Sequence, residues 1–240
     1  MQQTLKIIAL RLVKHNDRTS VLTAYSREQG LLAFAVPAGA GAGAQRRRAL
    51  LQPLTPLEVV ATLRPDRGLA TFREPRALEA LHGVLGSPAR AGVAMFMAEA
   101  LSIVLRQSAG EPAMFDFILD ATRRLNDPAV AVGNFPLAFL LGLGRMLGIA
   151  PEPEGYRPGA VFDMADGCFR LSAPLHGRAL GPVESAAAAR LLRMNWENMG
   201  AFRMKREERV RALELLLEYF TLHYAPLSAM HSPAVLHSLF

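Results

Sequence analysis

The feature that most constrains the fold is a change of hydrophobic spacing near Pro75. Before Pro75, short apolar and β-branched runs alternate with turn residues, as in a small antiparallel barrel. After Pro75, apolar residues recur at helical spacing in Ala-, Leu- and Met-rich segments that Gly and Pro interrupt. The sequence therefore predicts an α+β chain, with an N-terminal OB-fold β-barrel over residues 1–76 and a mainly α-helical C-terminal domain over residues 77–240.

Five segments have the character of strands. Gly30 suits the positive φ of a hairpin loop, and the stretch Arg64-Pro65-Asp66-Arg67-Gly68 predicts a tight turn. The predicted strands are Leu5–Val13, Ser20–Ser26, Leu31–Val36, Leu57–Leu63 and Leu69–Arg73. The predicted helices are 89–107, 113–126, 132–148, 183–195 and 206–224. Residues 151–182 are predicted to be irregular, with a short β-hairpin around 161–163 and 168–171.

Positive charge is concentrated in the first third of the chain. The net charge is +6, and residues 1–80 hold 12 Lys and Arg against 6 Asp and Glu, whereas residues 81–240 hold 15 of each. A concentrated positive field suits a polyanion, and nucleic acid is the commonest one in a cell. A solvated basic face without a ligand is the alternative.

An alternating Gly-Ala segment, Pro37–Arg48, separates the third and fourth predicted strands. Its glycines disfavour a helix or strand interior, so we predict a mobile loop with a basic end. The segment lacks the Gly-Lys-Ser/Thr ending of a nucleotide-binding loop. Arg46, Arg47 and Arg48 could each contact a phosphate oxygen without a fixed register. The alternative is a solvated loop.

Two further groups of cations are candidates for DNA binding. Lys6, Arg11 and Lys14 belong to or follow the first strand, where Lys6 and Arg11 point to opposite faces unless a bulge intervenes. Arg206 and Arg209 are adjacent on one face of the last long helix, but nearby glutamates also allow a solvated, ion-paired helix. Aromatic residues that could stack on bases are few in the barrel, which favours binding to the DNA backbone with little sequence preference.

Several function classes lack their signature residues. Cys168 is the sole cysteine, and His223, His231 and His237 do not have the spacing of metal ligands, so we expect no metal and no cofactor. No nucleophile-elbow or other catalytic motif stands out, so we expect no enzymatic activity. The start of the chain lacks a signal-peptide pattern, and no apolar run could cross a bilayer, which predicts a cytoplasmic protein without a membrane segment.

Three ordered stretches resemble the RecO family of recombination mediators over essentially the full chain. They are Thr19–Gly30 with Leu51–Leu54, then Leu143–Pro151, and then Leu191–Met199. The resemblance implies an N-terminal OB-fold, a helical C-terminal domain, binding of single- and double-stranded DNA, strand annealing and help in loading the recombinase. The implied partners are RecR and single-stranded DNA-binding protein, whose acidic, hydrophobic tail docks on the helical domain.

The resemblance also has limits. Many relatives carry a four-cysteine zinc element that the single Cys168 cannot form, and many have a basic segment where residues 39–44 are uncharged here. A helical pocket with an arginine rim would suit the partner's tail, and Arg123, Arg124 and Arg145 are the candidates for that rim. The alternative function is a protein–protein scaffold of a repair complex that binds little DNA itself.

Overall fold

A computed structural model describes residues 2–63, 68–106 and 108–239. The chain forms two compact units, one comprising Met1–Val130 and Ser232–Leu239 and the other Ala131–His231. The domain boundary predicted between residues 76 and 77 stays a prediction. Residues 64–67 of the predicted tight turn lie outside the described residues.

The first unit contains the predicted five-stranded barrel. The strands are antiparallel and lie in the order β3-β2-β1-β4-β5. The barrel closes where the N–H of Ala35 donates to the carbonyl of Ala70 over 2.8 Å and the N–H of Ala70 donates to Ala33 over 2.9 Å. The strand bounds are β1 Gln2–Lys14, β2 Thr19–Ser26, β3 Gly30–Pro37, β4 Pro56–Thr62 and β5 Thr71–Ala77.

A bulge in β1 decides which of its side chains face the barrel core. The pairing of β1 with β2 shifts register between Ala9 and Arg11. Leu5, Ile7 and Ala9 belong to the core before the shift, and Leu12 packs against it afterwards. Because one extra residue reverses the alternation, Lys6 and Arg11 lie on the same outer face. The bulge that would bring Lys6 and Arg11 to one face is therefore present.

Eight helices are found among the described residues, and five of them were predicted. The unpredicted ones are α1 within the Gly-Ala segment, the short α2, and the C-terminal α8, which packs against α3 within the first unit. The helix bounds are α1 Ala42–Leu50, α2 His82–Leu85, α3 Pro88–Val104, α4 Pro112–Asn126, α5 Phe135–Met146, α6 Pro182–Leu191, α7 Arg206–His223 and α8 Ser232–Leu239.

The structure corrects one loop prediction and the end of one helix. Arg46, Arg47 and Arg48 lie in α1 and not in the predicted mobile loop, because only Gly43 interrupts a run of Ala, Gln, Arg and Leu, which are good helix formers. Helix α6 stops at Leu191, although the prediction extended to residue 195. Shortly afterwards, the Asn195 side chain accepts from the N–H groups of Glu197 and Asn198 and so favours a turn.

The second unit combines α5, α6 and α7 with the predicted hairpin, whose strands are β6 Val161–Asp163 and β7 Cys168–Arg170. Helix α5 contacts α7, and α6 contacts β6. Phe162 packs near Tyr219 of α7, with ring centroids 6.3 Å apart. The Tyr219 hydroxyl donates to the carbonyl of Ile149 over 2.9 Å, and burial raises the pKa of Tyr219 to about 12.

A buried carboxylate organises the hairpin. Asp163, with a side chain 1% exposed, accepts from the N–H groups of Ala165 and Asp166 and lies 3.0 Å from Arg170 and 3.3 Å from His176. Burial alone would raise the pKa of Asp163. The hydrogen bonds from Asp166 and Ala165, together with His176 and Arg170, outweigh burial and hold this pKa below the usual value. An ionised carboxylate is therefore the stable form in this hairpin.

Candidate nucleic-acid interface

Helix α1 is tied to the segment that leaves β3. Gly41 occupies the N-cap position, and its carbonyl accepts from the N–H groups of Ala44 and Gln45 over 2.9 and 3.1 Å. The Arg47 guanidinium donates to the carbonyl of Pro37 over 3.4 Å, and that of Arg48 donates to Gly39 over 3.0 Å. These contacts fold the helix back on residues 37–39 and place two arginines on the side that faces the barrel.

A cleft of about 430 Å³ opens between α1, the start of the β1–β2 turn and the end of β3. We call it the basic cleft. Three cations line it, together with one carboxylate and a set of apolar residues. Its lining is Leu12, Lys14, Asp17, Ser20, Val36, Pro37, Ala38, Gly39, Ala40, Ala44, Arg47, Arg48 and Leu51.

The electrostatics of the basic cleft favour an anion. Lys14, Arg47 and Arg48 contribute three positive charges against one negative charge on Asp17, which pairs with Lys14 over 2.7 Å. This ion pair is solvent-exposed, with side chains 67% and 95% accessible, and such pairs are weak. Each guanidinium carries five N–H donors and uses one in the described hydrogen bond to a carbonyl, so donors remain for phosphate oxygens.

The structure brings together three of the six cations predicted for the barrel. Lys6 is exposed and lies opposite Glu58 in the sheet register, and Arg11 is exposed opposite Thr23. Arg46 is exposed on α1. None of these three is among the described residues that line the basic cleft. Together, Lys6 and Arg11 form a separate basic outer face of β1.

Sequence reasoning missed the apolar part of the basic cleft. The spacing predicts Leu12 and Val36 as strand residues, and no pattern assigns Leu51 to a binding surface. The bulge in β1 turns Leu12 toward the core, and Leu51 directly follows the unpredicted helix α1. The local spacing of hydrophobic residues predicts neither the bulge nor helix α1. The apolar lining of the basic cleft could therefore be identified only from the folded structure.

The second unit holds a different concavity, a groove of about 430 Å³ between α6 and the start of α7, which we call the helical groove. Leu180, Leu191, Phe202 and Leu215 are among its apolar lining residues. Its charged lining residues are Glu184, Arg190, Arg203, Glu207, Glu208 and Arg211. The helical groove therefore offers apolar surface with arginines at its border.

Ion pairs and hydrogen bonds restrain several arginines near the helical groove. Arg211 lies 3.0 Å from Glu184 across the groove, and this hydrogen bond raises the pKa of Arg211. Arg209 donates to the carbonyl of Met204 over 2.6 Å, which holds it at the start of α7. Arg206 is exposed on the same helix. Neither Arg206 nor Arg209 belongs to the described lining of the groove.

The three arginines predicted to contact a partner's tail have other contacts. Arg123 forms a two-pronged ion pair with Glu79, and this hydrogen bond raises the pKa of Arg123. Arg124 pairs with Asp120 over 2.7 Å. Arg145 donates to the carbonyl of Met194 over 2.9 Å. Arg123 and Arg124 lie on α4 in the first unit, whereas Arg145 ends α5 in the second.

Two kinds of feature are absent from the described ranges 2–63, 68–106 and 108–239. Within them, no group of three or more His, Cys, Asp and Glu residues could hold a metal ion. Within the same ranges, no helix combines the length and apolar character needed to span a bilayer.

Comparison with known proteins assigns both parts of the chain to one family. The family model described as Recombination protein O N terminal matches residues 1–80, and that described as Recombination protein O C terminal matches residues 85–232. A protein of Phocaeicola vulgatus named DNA repair protein RecO is 34% identical over 240 residues, covering 100% of this chain and 99% of the relative.

Relatives with the same name occur in two further organisms. The protein of Porphyromonas gingivalis is 33% identical and covers 98% of each chain. That of Bacteroides fragilis is 31% identical and covers 100% of this chain and 99% of the relative. These matches cover the barrel and the helical region alike, and the chain therefore belongs to the RecO family of DNA repair proteins.

Proposed function

We propose that this protein is a non-enzymatic recombination mediator of the cytoplasm and nucleoid that binds single- and double-stranded DNA through the basic cleft. The observation that carries the proposal is the convergence of Lys14, Arg47 and Arg48 on one concave surface of the barrel. Lys6, Arg11 and Arg46 extend the positive field on exposed surfaces of the same unit. Cations that neutralise phosphates release counterions, which supplies most of the affinity for DNA without sequence preference.

Strand annealing follows from the same charges. Two complementary strands repel each other through their phosphates, and a basic protein surface lowers that repulsion while the bases stay free to pair. In this proposal, no covalent step and no cofactor is needed. RecR and single-stranded DNA-binding protein are the proposed partners, and the combined complex would load the recombinase on coated single strands.

A salt series tests the DNA-binding proposal. A labelled single strand is titrated with the parent and with the combined variant Lys14→Ala, Arg47→Ala and Arg48→Ala. For the parent, log affinity should fall with log salt by about 0.7 per phosphate contact, and the variant should lower that slope by about 2. The matched control removes three exposed arginines of the second unit, Arg157→Ala, Arg178→Ala and Arg193→Ala, and should keep the parental slope.

The scaffold alternative predicts a different outcome. A parent that binds DNA weakly at low salt, or with a flat salt dependence, would refute DNA binding as the working activity. A cleft variant that matches the parent would refute the basic cleft as the binding surface. The remaining proposed contacts would then be Lys6, Arg11, Arg46, Arg206 and Arg209.

We also propose that the helical groove receives the acidic, hydrophobic tail of single-stranded DNA-binding protein. Its apolar lining suits a buried anchor residue, and Arg190 and Arg203 at its border suit carboxylates through charge-assisted hydrogen bonds. Glu207 and Glu208 oppose an acidic ligand, so the apolar contact must supply part of the affinity. Arg123, Arg124 and Arg145 remain the rival tail-binding residues.

Anisotropy of a labelled tail peptide distinguishes the two locations. The variant Arg190→Glu with Arg203→Glu should weaken peptide binding by about tenfold, which corresponds to about 1.4 kcal/mol. The comparison variant Arg123→Glu with Arg124→Glu should bind like the parent. The reverse pattern would move the tail site to α4.

A further inference from the structure

We infer that the basic cleft holds one unpaired nucleotide of a single strand, with the base against the apolar lining and the adjoining phosphate at the cationic rim. This inference rests on the proposed DNA binding and adds the class of DNA that the cleft selects. A single strand can turn a base into a concavity, whereas a duplex keeps its bases stacked inside.

The lining of the cleft has two chemically distinct parts. Leu12, Pro37, Ala40 and Ala44 provide accessible apolar groups, and the buried side chains of Val36 and Leu51 lie behind them in the barrel core. Arg47 and Arg48 lie on α1 and bring donors to the same cleft. A phosphate alone needs no apolar wall, and an apolar ligand needs no cations, but a nucleotide uses each part.

The size of the cleft agrees with one nucleotide. Its volume of about 430 Å³ falls in the range of about 300–1,000 Å³ that is typical of pockets for small organic ligands. A duplex is far wider than such a pocket and would contact only the cations at the mouth. Single strands should therefore gain a contact that duplex DNA cannot make.

The base contact would be aliphatic and would not depend on aromatic stacking. Tyr25 and Phe34 are fully buried, and Phe34 packs edge-on against Phe72 in the barrel with ring centroids 5.4 Å apart. Tyr25 accepts a hydrogen bond from the N–H of Glu111 over 3.2 Å. An aliphatic wall contacts all four bases in a similar way, so the selected feature is an unpaired base and not a sequence.

The decisive variant fills the cleft without changing its charge. Ala40 is exposed and lines the mouth, so Ala40→Leu should occupy the space of the base without adding an aromatic ring, and it should leave Lys14, Arg47 and Arg48 in place. Ala49→Leu is the matched control, because Ala49 is exposed on α1 and lies outside the described lining. Thermal melts monitored by circular dichroism should be the same for the parent and both variants.

Three ligands of equal length are titrated: oligothymidine, a fully abasic strand with the same phosphates, and duplex DNA. The parent should bind oligothymidine about tenfold more tightly than the abasic strand. Ala40→Leu should remove that tenfold advantage and leave the binding of the abasic strand and of duplex DNA and the salt slope unchanged. Ala49→Leu should match the parent throughout.

Each other outcome overturns the inference in a recognisable way. If the parent binds oligothymidine and the abasic strand equally, or Ala40→Leu keeps the advantage, the base does not enter the cleft, although a steep salt slope would still support DNA binding. If Ala40→Leu weakens the binding of all three ligands, the cleft contacts only phosphates. If the parent binds none of them, the proposed function fails together with the inference.

Discussion

Replacement of Arg90 should destabilise the first unit more than most single substitutions. Arg90 lies in α3, is 8% exposed, and donates to three carbonyls at the end of α4 and just after it. The distances are 2.6 Å to Leu125, 3.0 Å to Pro128 and 2.7 Å to Val130. One guanidinium thus joins two helices and satisfies acceptors near the negative end of a helix dipole.

The expected loss follows from these contacts. A hydrogen bond to a charged group contributes about 1.5–3 kcal/mol, and water replaces some of the lost bonds at a partly exposed helix end. We expect Arg90→Ala to lower the free energy of unfolding by about 3–5 kcal/mol, because three such hydrogen bonds are lost and water restores only part of their energy. For a unit of this size, that corresponds to a fall in Tm of about 10–20 °C.

Thermal melts by circular dichroism measure the loss, and two further variants separate its causes. Arg90→Met keeps the packing of the side-chain stem but has no donor, so it should lose most of the stability that Arg90→Ala loses. Arg90→Lys has a charge but lacks the planar fork that reaches three carbonyls at once. Loss of one charge-assisted hydrogen bond should cost it about 2 kcal/mol. Stabilities of all three variants within about 1 kcal/mol of the parent would refute a structural role for these hydrogen bonds.

Two other predictions concern stability. A Cβ on Gly110 would lie 2.2 Å from the carbonyl carbon of Glu28. Gly110→Ala should therefore lower the free energy of unfolding, measured by chemical denaturation, by about 1–3 kcal/mol. Gly133→Ala should lower it much less, because nothing lies within 4 Å of the added carbon. Equal losses would refute the close approach. The pKa of Asp163 is lowered in the folded state, so its ionised form stabilises the protein above the unfolded pKa, and that stabilisation disappears as the pH falls through the folded pKa. Asp163→Asn should therefore have a lower Tm than the parent at pH 7, and the difference in Tm should become smaller below about pH 4. A difference in Tm that does not depend on pH would contradict this linkage.

Long segments with a clear hydrophobic period were predictable from the sequence. The barrel strands and five helices follow from alternation and helical spacing, because burial of one face requires the matching period. Helix ends were less predictable, as α6 shows, because the asparagine turn after it depends on side-chain hydrogen bonds. Helix α1 was missed because the alternating glycines at 39, 41 and 43 disfavour a helix, whereas only Gly43 lies within α1 and good helix formers follow it.

The sequence by itself determined the α+β division, the barrel and the concentration of positive charge in the first third of the chain. These features depend on composition and on the local spacing of hydrophobic residues. Only the tertiary structure decided which cations line the same cleft. Lys14 is separated from Arg47 and Arg48 by more than thirty residues, and their meeting depends on the strand pairing, the bulge in β1 and the fold of α1 back on residues 37–39. Local spacing encodes side-chain direction only within one uninterrupted element, and the shape of a cleft arises from packing between elements.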